Sequence, residues 1–85
     1  MKEFTYKIKD ELGIHARPAG LLVKAATGFL SDIKVIKEDK EADAKKIFAV
    51  MGMGVKKDDT VRVQVAGEDE EQAVAVIEGF FKDNL

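Results

Sequence analysis

The sequence predicts an α+β domain, an antiparallel sheet with helices packed on one side only. Three observations support this. Apolar and polar residues alternate over 2–9, 32–37, 42–44 and 61–65, the period of strands with one buried and one wet face. The spacing lengthens to three and four over 16–27 and 69–82, as in amphipathic helices. The segments follow the order strand, helix, strand, strand, helix, strand, helix.

In the first strand Phe4, Tyr6 and Ile8 share one face, and Glu3, Thr5, Lys7 and Lys9 the other. Asp10 to Gly13 reads as a loop. The first helix is expected to begin near His15 or Ala16, with Ala19, Leu22, Val23, Ala26 and Leu30 as its apolar stripe. Pro18 fits its first turn, where backbone N–H groups have no intrahelical acceptor. Gly28 is placed to end it. Ile33 and Val35 mark the second strand, 38–40 a turn, and Ala42 and Ala44 a short third strand.

Ile47, Phe48, Val50 and Met51 suggest a short helix ended by Gly52 or Gly54. Val61, Val63 and Val65 form the clearest strand. In the last helix Ala73, Val74, Val76, Ile77, Phe80 and Phe81 make a broad stripe. Asp69 is its expected N-cap, with Gln72 three residues on, close to a capping box. Glu70 and Glu71 suit the positive end of the helix dipole and Lys82 the negative end. Gly79 costs about 1 kcal/mol relative to Ala unless close packing requires it.

The 85 residues suffice for one hydrophobic core, so residues 1–85 are expected to form a single domain. A net charge of −2, from 14 basic and 16 acidic side chains, argues against nucleic acid as the main partner. No apolar run approaches the roughly 20 residues of a membrane-spanning helix. Met1 to Thr5 has no apolar signal core behind its charge, so membrane insertion is not expected and a cytoplasmic location is. With no cysteine, disulfides, thiolate nucleophiles and Cys-based zinc sites are excluded.

The only histidine, His15, lies where a loop meets a helix N-terminus. The free backbone N–H groups there, those of Ala16 and Arg17, would surround a phosphoryl group carried on the imidazole. Arg17 adds a guanidinium whose fork of donors suits phosphoryl oxygens. Pro18 biases Arg17 away from regular helical dihedrals, which could turn its side chain back toward His15. A nucleophilic imidazole must be neutral, and the positive end of a helix disfavours imidazolium.

Other chemistries lack their parts. No second His or Cys joins His15 in a metal site, so no metal or cofactor is expected. Gly52-Met53-Gly54 is not a nucleotide-binding loop. Ser31 has no apparent base and reads as a helix-exit residue. A hydrolase or isomerase using His15 as general base would need a partner residue and a pocket that the sequence does not offer.

Through Gly13-Ile14-His15-Ala16-Arg17-Pro18-Ala19 the sequence resembles HPr, the histidine-containing phosphocarrier family of the bacterial phosphoenolpyruvate-dependent sugar phosphotransferase system. The resemblance spans the chain and includes a second block, Ala44 to Gly54. It implies an open-faced β-sandwich, a four-stranded antiparallel sheet with three helices on one face (βαββαβα). It implies a carrier rather than an enzyme. His15 would be phosphorylated on Nδ1 by phosphorylated enzyme I, with Arg17 as the active-site arginine. The group would pass to the A domain of a sugar-specific enzyme II.

The resemblance also implies a docking surface that includes Gly20, Lys24, Thr27, Ile47, Phe48, Met51 and Gly54. A short helix cannot easily bury both Ile47 and Phe48. At least one is therefore expected as an exposed apolar contact ringed by Arg17, Lys24, Lys45 and Lys46. The alternative is that both are core and the lysines only solubilise. Many members carry a regulatory serine where this chain has Lys46, which has no hydroxyl and the opposite charge to phosphoserine, so serine-kinase control is expected to be absent. A chemically silent docking paralogue would be expected to have lost His15. A shuttling carrier is expected to be monomeric.

Overall fold

A computed structural model describes all of residues 1–85. In chain order the elements are β1 (Lys2–Lys7), α1 (Ala16–Thr27), β2 (Asp32–Lys37), β3 (Lys40–Asp43), α2 (Ile47–Gly52), β4 (Thr60–Ala66) and α3 (Glu70–Asn84). The strands form one sheet in the order β1-β4-β2-β3, with every neighbouring pair antiparallel. This is the antiparallel sheet that the alternating strands anticipate, and the open-faced sandwich that the resemblance implies.

The register explains why the alternation works. Phe4 pairs with Val63, Val63 with Val35, and Val35 with Ala42, so one row of apolar side chains crosses all four strands. The next row, Thr5, Arg62, Ile36 and Glu41, lies on the opposite, wetter face. A one-residue slip would exchange the two rows, so burial of one face fixes the pairing. The helices supply Ala19, Leu22 and Ala26 from α1, Val50 from α2, and Ala73, Ile77 and Phe81 from α3 to the same core. Phe81 anchors it, meeting Phe4 and Tyr6 edge-on with ring centroids 5.6 and 5.7 Å away.

Several local expectations need correcting. β1 ends at Lys7, although buried Ile8 still donates its amide to the Asp59 carbonyl at 2.9 Å. β3 ends at Asp43, although buried Ala44 donates to the Ile33 carbonyl at 2.8 Å. Leu30 lies beyond α1 and is 77% exposed, so it is not part of the helix stripe. Gly28 does cap α1, but with φ −75°. Its left-handed freedom is unused; the chain leaves the helix through Gly28 and Phe29 amides bonded three residues back, to Ala25 and Ala26. Val76 is exposed, so α3 buries a narrower stripe than its composition suggests. A Cβ at Gly79 would meet nothing within 4 Å, so no packing requires that glycine.

Asp69 stands at the N-cap of α3, yet its side chain caps nothing there. One carboxylate oxygen accepts the Ser31 amide at 2.9 Å and the Ser31 hydroxyl at 2.5 Å. The other accepts the Leu30 amide at 2.8 Å. Three donors at the α1 exit outcompete the helix's own amides, because Ser31 is fully buried and has no water to turn to. Glu70 accepts the Gly67 amide at 3.1 Å instead, closing the turn before α3. Charge-assisted bonds from the Ser31 hydroxyl first, then the Leu30 and Ser31 amides, hold the Asp69 carboxyl below its usual range.

Candidate functional site

The site is built from the β1–α1 loop. Gly13 has φ +69°, and a Cβ there would fall 2.1 Å from the Val55 carbonyl oxygen, so only glycine lets the loop lie against residues 55 and 56. The Ile14 amide donates to that same oxygen at 3.1 Å, and the Ile14 side chain is buried. His15 follows with extended dihedrals and becomes the backbone N-cap of α1, its carbonyl accepting the Ala19 amide at 2.9 Å. Pro18 and Ala19 are buried and seat the first turn.

The His15 side chain makes no capping bond, which leaves the ring free. The Ala16 and Arg17 amides have no acceptor, and Pro18 has no N–H. Two unpaired donors therefore mark the helix entrance. The His15 side chain is 37% exposed, and its Nε2 lies 3.6 Å from an Asp10 carboxylate oxygen. Arg17 is exposed and forms no salt bridge. His15, Arg17, Asp10, Pro18, Leu21 and Asn84 line one open cleft of about 250 Å³. That is smaller than the usual small-molecule pocket. It suits an oxyanion carried on an exposed side chain better than an enclosed substrate. No group of three or more His, Cys, Asp or Glu side chains could hold a metal ion.

The expected docking residues spread from this cleft over α1 and α2. Lys24 and Thr27 are exposed, and the Thr27 hydroxyl donates to the Lys24 carbonyl at 3.0 Å. A Cβ at Gly20 would stand 3.7 Å from Ile47 Cδ1, so Gly20 lies where α2 packs against α1. Ile47 is partly buried against the core, whereas Phe48 is 84% exposed and Met51 is also exposed. Of the adjacent pair, Phe48 is thus the exposed contact and Ile47 the packed one. Gly54 takes φ +64° just after α2, with its amide on the Met51 carbonyl.

Lys45 departs from the expected cationic ring. Its Nζ donates to the Phe29 carbonyl at 2.9 Å, which meets an acceptor left unpaired past the end of α1. Lys46 is the exposed N-cap of α2 and makes no side-chain capping bond. Sequence reasoning missed Asp10. Its Oδ1 accepts the Leu12 amide at 2.9 Å, an Asx turn that an Asp two residues before an exposed loop position can signal.

An open-faced βαββαβα sandwich with an unencumbered histidine at the entrance of its first helix defines a class of small carrier domain. The chain belongs to the HPr family, the phosphocarriers of the phosphotransferase system, which carry a phosphoryl group and are not enzymes in their own right. The family described as "PTS HPr component phosphorylation site" matches residues 2–83. The chain is similar to the phosphocarrier protein HPr of Lysinibacillus sphaericus, 48% identical over 73 residues, 86% of this chain and 83% of that one. It superposes on the histidine-containing phosphocarrier protein of a Mycoplasma with a TM-score of 0.94 and 36% identity, over 96% of this chain and 93% of that one. It also resembles an HPr dimer from Thermoanaerobacter tengcongensis, with a TM-score of 0.77 and 40% identity over 98% and 95% of the two chains. No helix is long and apolar enough to cross a membrane.

Proposed function

We propose that His15 is the phosphoryl acceptor of this chain. The observation that carries the proposal is a half-exposed imidazole standing beside the two unpaired amides of α1, with Arg17 in the same cleft. The Nδ1 lone pair attacks the phosphorus of a phosphohistidine on enzyme I. A P–N bond forms on His15 as the donor's P–N bond breaks, and the electron pair returns to the donor ring. The Ala16 and Arg17 amides and the Arg17 guanidinium bind phosphoryl oxygens, where the positive end of the helix adds to their attraction. The same geometry runs in reverse when the A domain of an enzyme II takes the group.

The docking surface is the exposed part of α1 and α2, with Phe48 as its apolar anchor, Met51 beside it, and Gly20, Lys24, Thr27, Ile47 and Gly54 shaping it. An aromatic with four-fifths of its surface in water gains most from burial against a partner. Serine-kinase regulation is absent because Lys46 offers no hydroxyl. The chain works in the cytoplasm as a monomer, its residues 1–85 forming one domain without cofactor.

The test is incubation with enzyme I, phosphoenolpyruvate and magnesium. The expected result is acid-labile, base-stable phosphate on the wild type and none on His15→Ala. No label under conditions that charge a control carrier overturns the proposal.

A further inference from the structure

Asp10 is the one anion lining the His15 cleft, and the relay described above gives it no task. It is not a loose surface acid. Its backbone N–H donates to the main-chain oxygen of Leu85 at 2.8 Å, and its carbonyl accepts the Gly13 amide at 3.0 Å. Its Oδ1 accepts the Leu12 amide at 2.9 Å, and that same oxygen stands 3.6 Å from His15 Nε2. The gap is just beyond hydrogen-bond length, and such contacts commonly tighten when a site is loaded. The carboxylate keeps spare lone pairs for that bond.

We propose that Asp10 is a positioning residue for His15: it holds the proton on Nε2, so that Nδ1 presents its lone pair to the phosphoryl group. The inference rests on the proposed role of His15. A carboxylate facing a ring N–H fixes the tautomer and orientation of the imidazole, as outer partners do for metal-bound histidines. It also bears on release. When the group departs from Nδ1, the P–N electron pair returns to the ring. With Nε2 protonated the leaving group is neutral imidazole; without that proton it is an imidazolate, a far poorer leaving group. Asp10 stabilises the protonated, transferable form.

The other groups facing the ring act differently. Arg17 is a cation that disfavours ring protonation in the empty state and draws the phosphoryl oxygens in the loaded one. The Ala16 and Arg17 amides add partial positive charge at the helix entrance. Asn84, from the end of α3, is neutral. Lys9 adjoins Asp10 in the chain and is exposed. Among the side chains that line the cleft only Asp10 favours a proton on Nε2.

Asp10→Asn tests this, because an amide oxygen can still accept from the Leu12 amide and preserve the loop. Asp10→Glu retains the charge. Two readouts apply: the pH dependence of phosphohistidine decay in proteins loaded by enzyme I, and the ring-nitrogen NMR shifts of His15 against pH in unloaded ones. Asp10→Asn should move the decay midpoint down by roughly half a pH unit or more, a modest shift because the pair is partly exposed, and should move the ring-nitrogen resonances of neutral His15 away from the Nε2–H tautomer. Asp10→Glu should move both back toward wild type. An unchanged midpoint and unchanged resonances in Asp10→Asn overturn the proposal. Equal shifts in both variants assign the effect to loop structure and overturn it as well. A wild type that takes no label overturns the carrier role alone, since the ring-nitrogen shifts read the Asp10–His15 coupling without it.

Discussion

The two ends of α1 solve opposite problems. At its C-terminal side the chain leaves the helix into a fully buried Ser31, and the Leu30 and Ser31 donors are all taken by Asp69, which is distant in the sequence. At its N-terminal side the Ala16 and Arg17 amides are left open and the His15 ring is half-exposed. Satisfied polar groups stabilise a fold; unsatisfied ones in water cost the fold little and remain available to a ligand. One helix thus has a structural end and a proposed chemical end, separated by three turns.

That contrast can be broken from either side. Among Gly67→Ala, Ser31→Ala and His15→Ala, the largest expected stability effect is at the structural end. A Cβ at Gly67, where φ is +155°, would lie 2.6 Å from the Ser31 hydroxyl oxygen and 2.7 Å from its Cα. Gly67→Ala should lower the unfolding free energy by about 2–4 kcal/mol in urea titrations, while any folded protein still takes label on His15. If labelling falls in step with the Asp69 clamp, the two ends are not independent.

Ser31→Ala removes one donor from Asp69 and leaves the two backbone donors. A loss of about 1 kcal/mol is expected, again with labelling intact. Acid should probe the same clamp without mutation. The Asp69 carboxyl titrates lower in the folded chain than in the unfolded one, so its contribution is complete above the ordinary Asp value of about 4 and is lost as pH falls toward the folded value. Asp69→Asn should therefore flatten the fall of the urea midpoint in acid. It should do so only in part, because Asp59, bonded first to Lys37, and Glu70, bonded first to the Gly67 amide, are depressed in the same sense.

The smallest stability effect belongs to the chemical end. His15→Ala, which should abolish labelling, should shift stability by no more than about 0.5 kcal/mol, since the ring neither caps the helix nor enters the core. A large loss there would mean that the imidazole has a structural role.

Much of this was legible in the sequence, for identifiable reasons. Strand alternation fixed which side chains face the helices, because a register error would expose Phe4, Val63, Val35 and Ala42 together. The helix entrance at His15 was legible because Gly13 and Pro18 constrain the backbone on either side of the lone His. Long-range choices were not. Asp69 looked like an ordinary N-cap, and nothing near it in the chain reveals that residues 38 and 39 positions away need its oxygens more. Lys45 looked like a free cation, and its bond to the Phe29 carbonyl depends on how the end of α1 approaches it. Leu30 fitted the helical period because spacing alone does not report where a helix stops. Asp10 read as loop because its meeting with His15 depends on the fold of residues 10–13.

The strand order has a consequence for synthesis. β1 has a single partner, β4, and Tyr6 pairs with Val61, so the first strand made waits for the last one. At about 5–20 residues per second on a ribosome, residues 2–7 leave the exit tunnel roughly 3–11 seconds ahead of the strand that completes them. During translation the nascent chain can form α1 and the β2–β3 hairpin, but its sheet stays open at β1 until β4 has emerged.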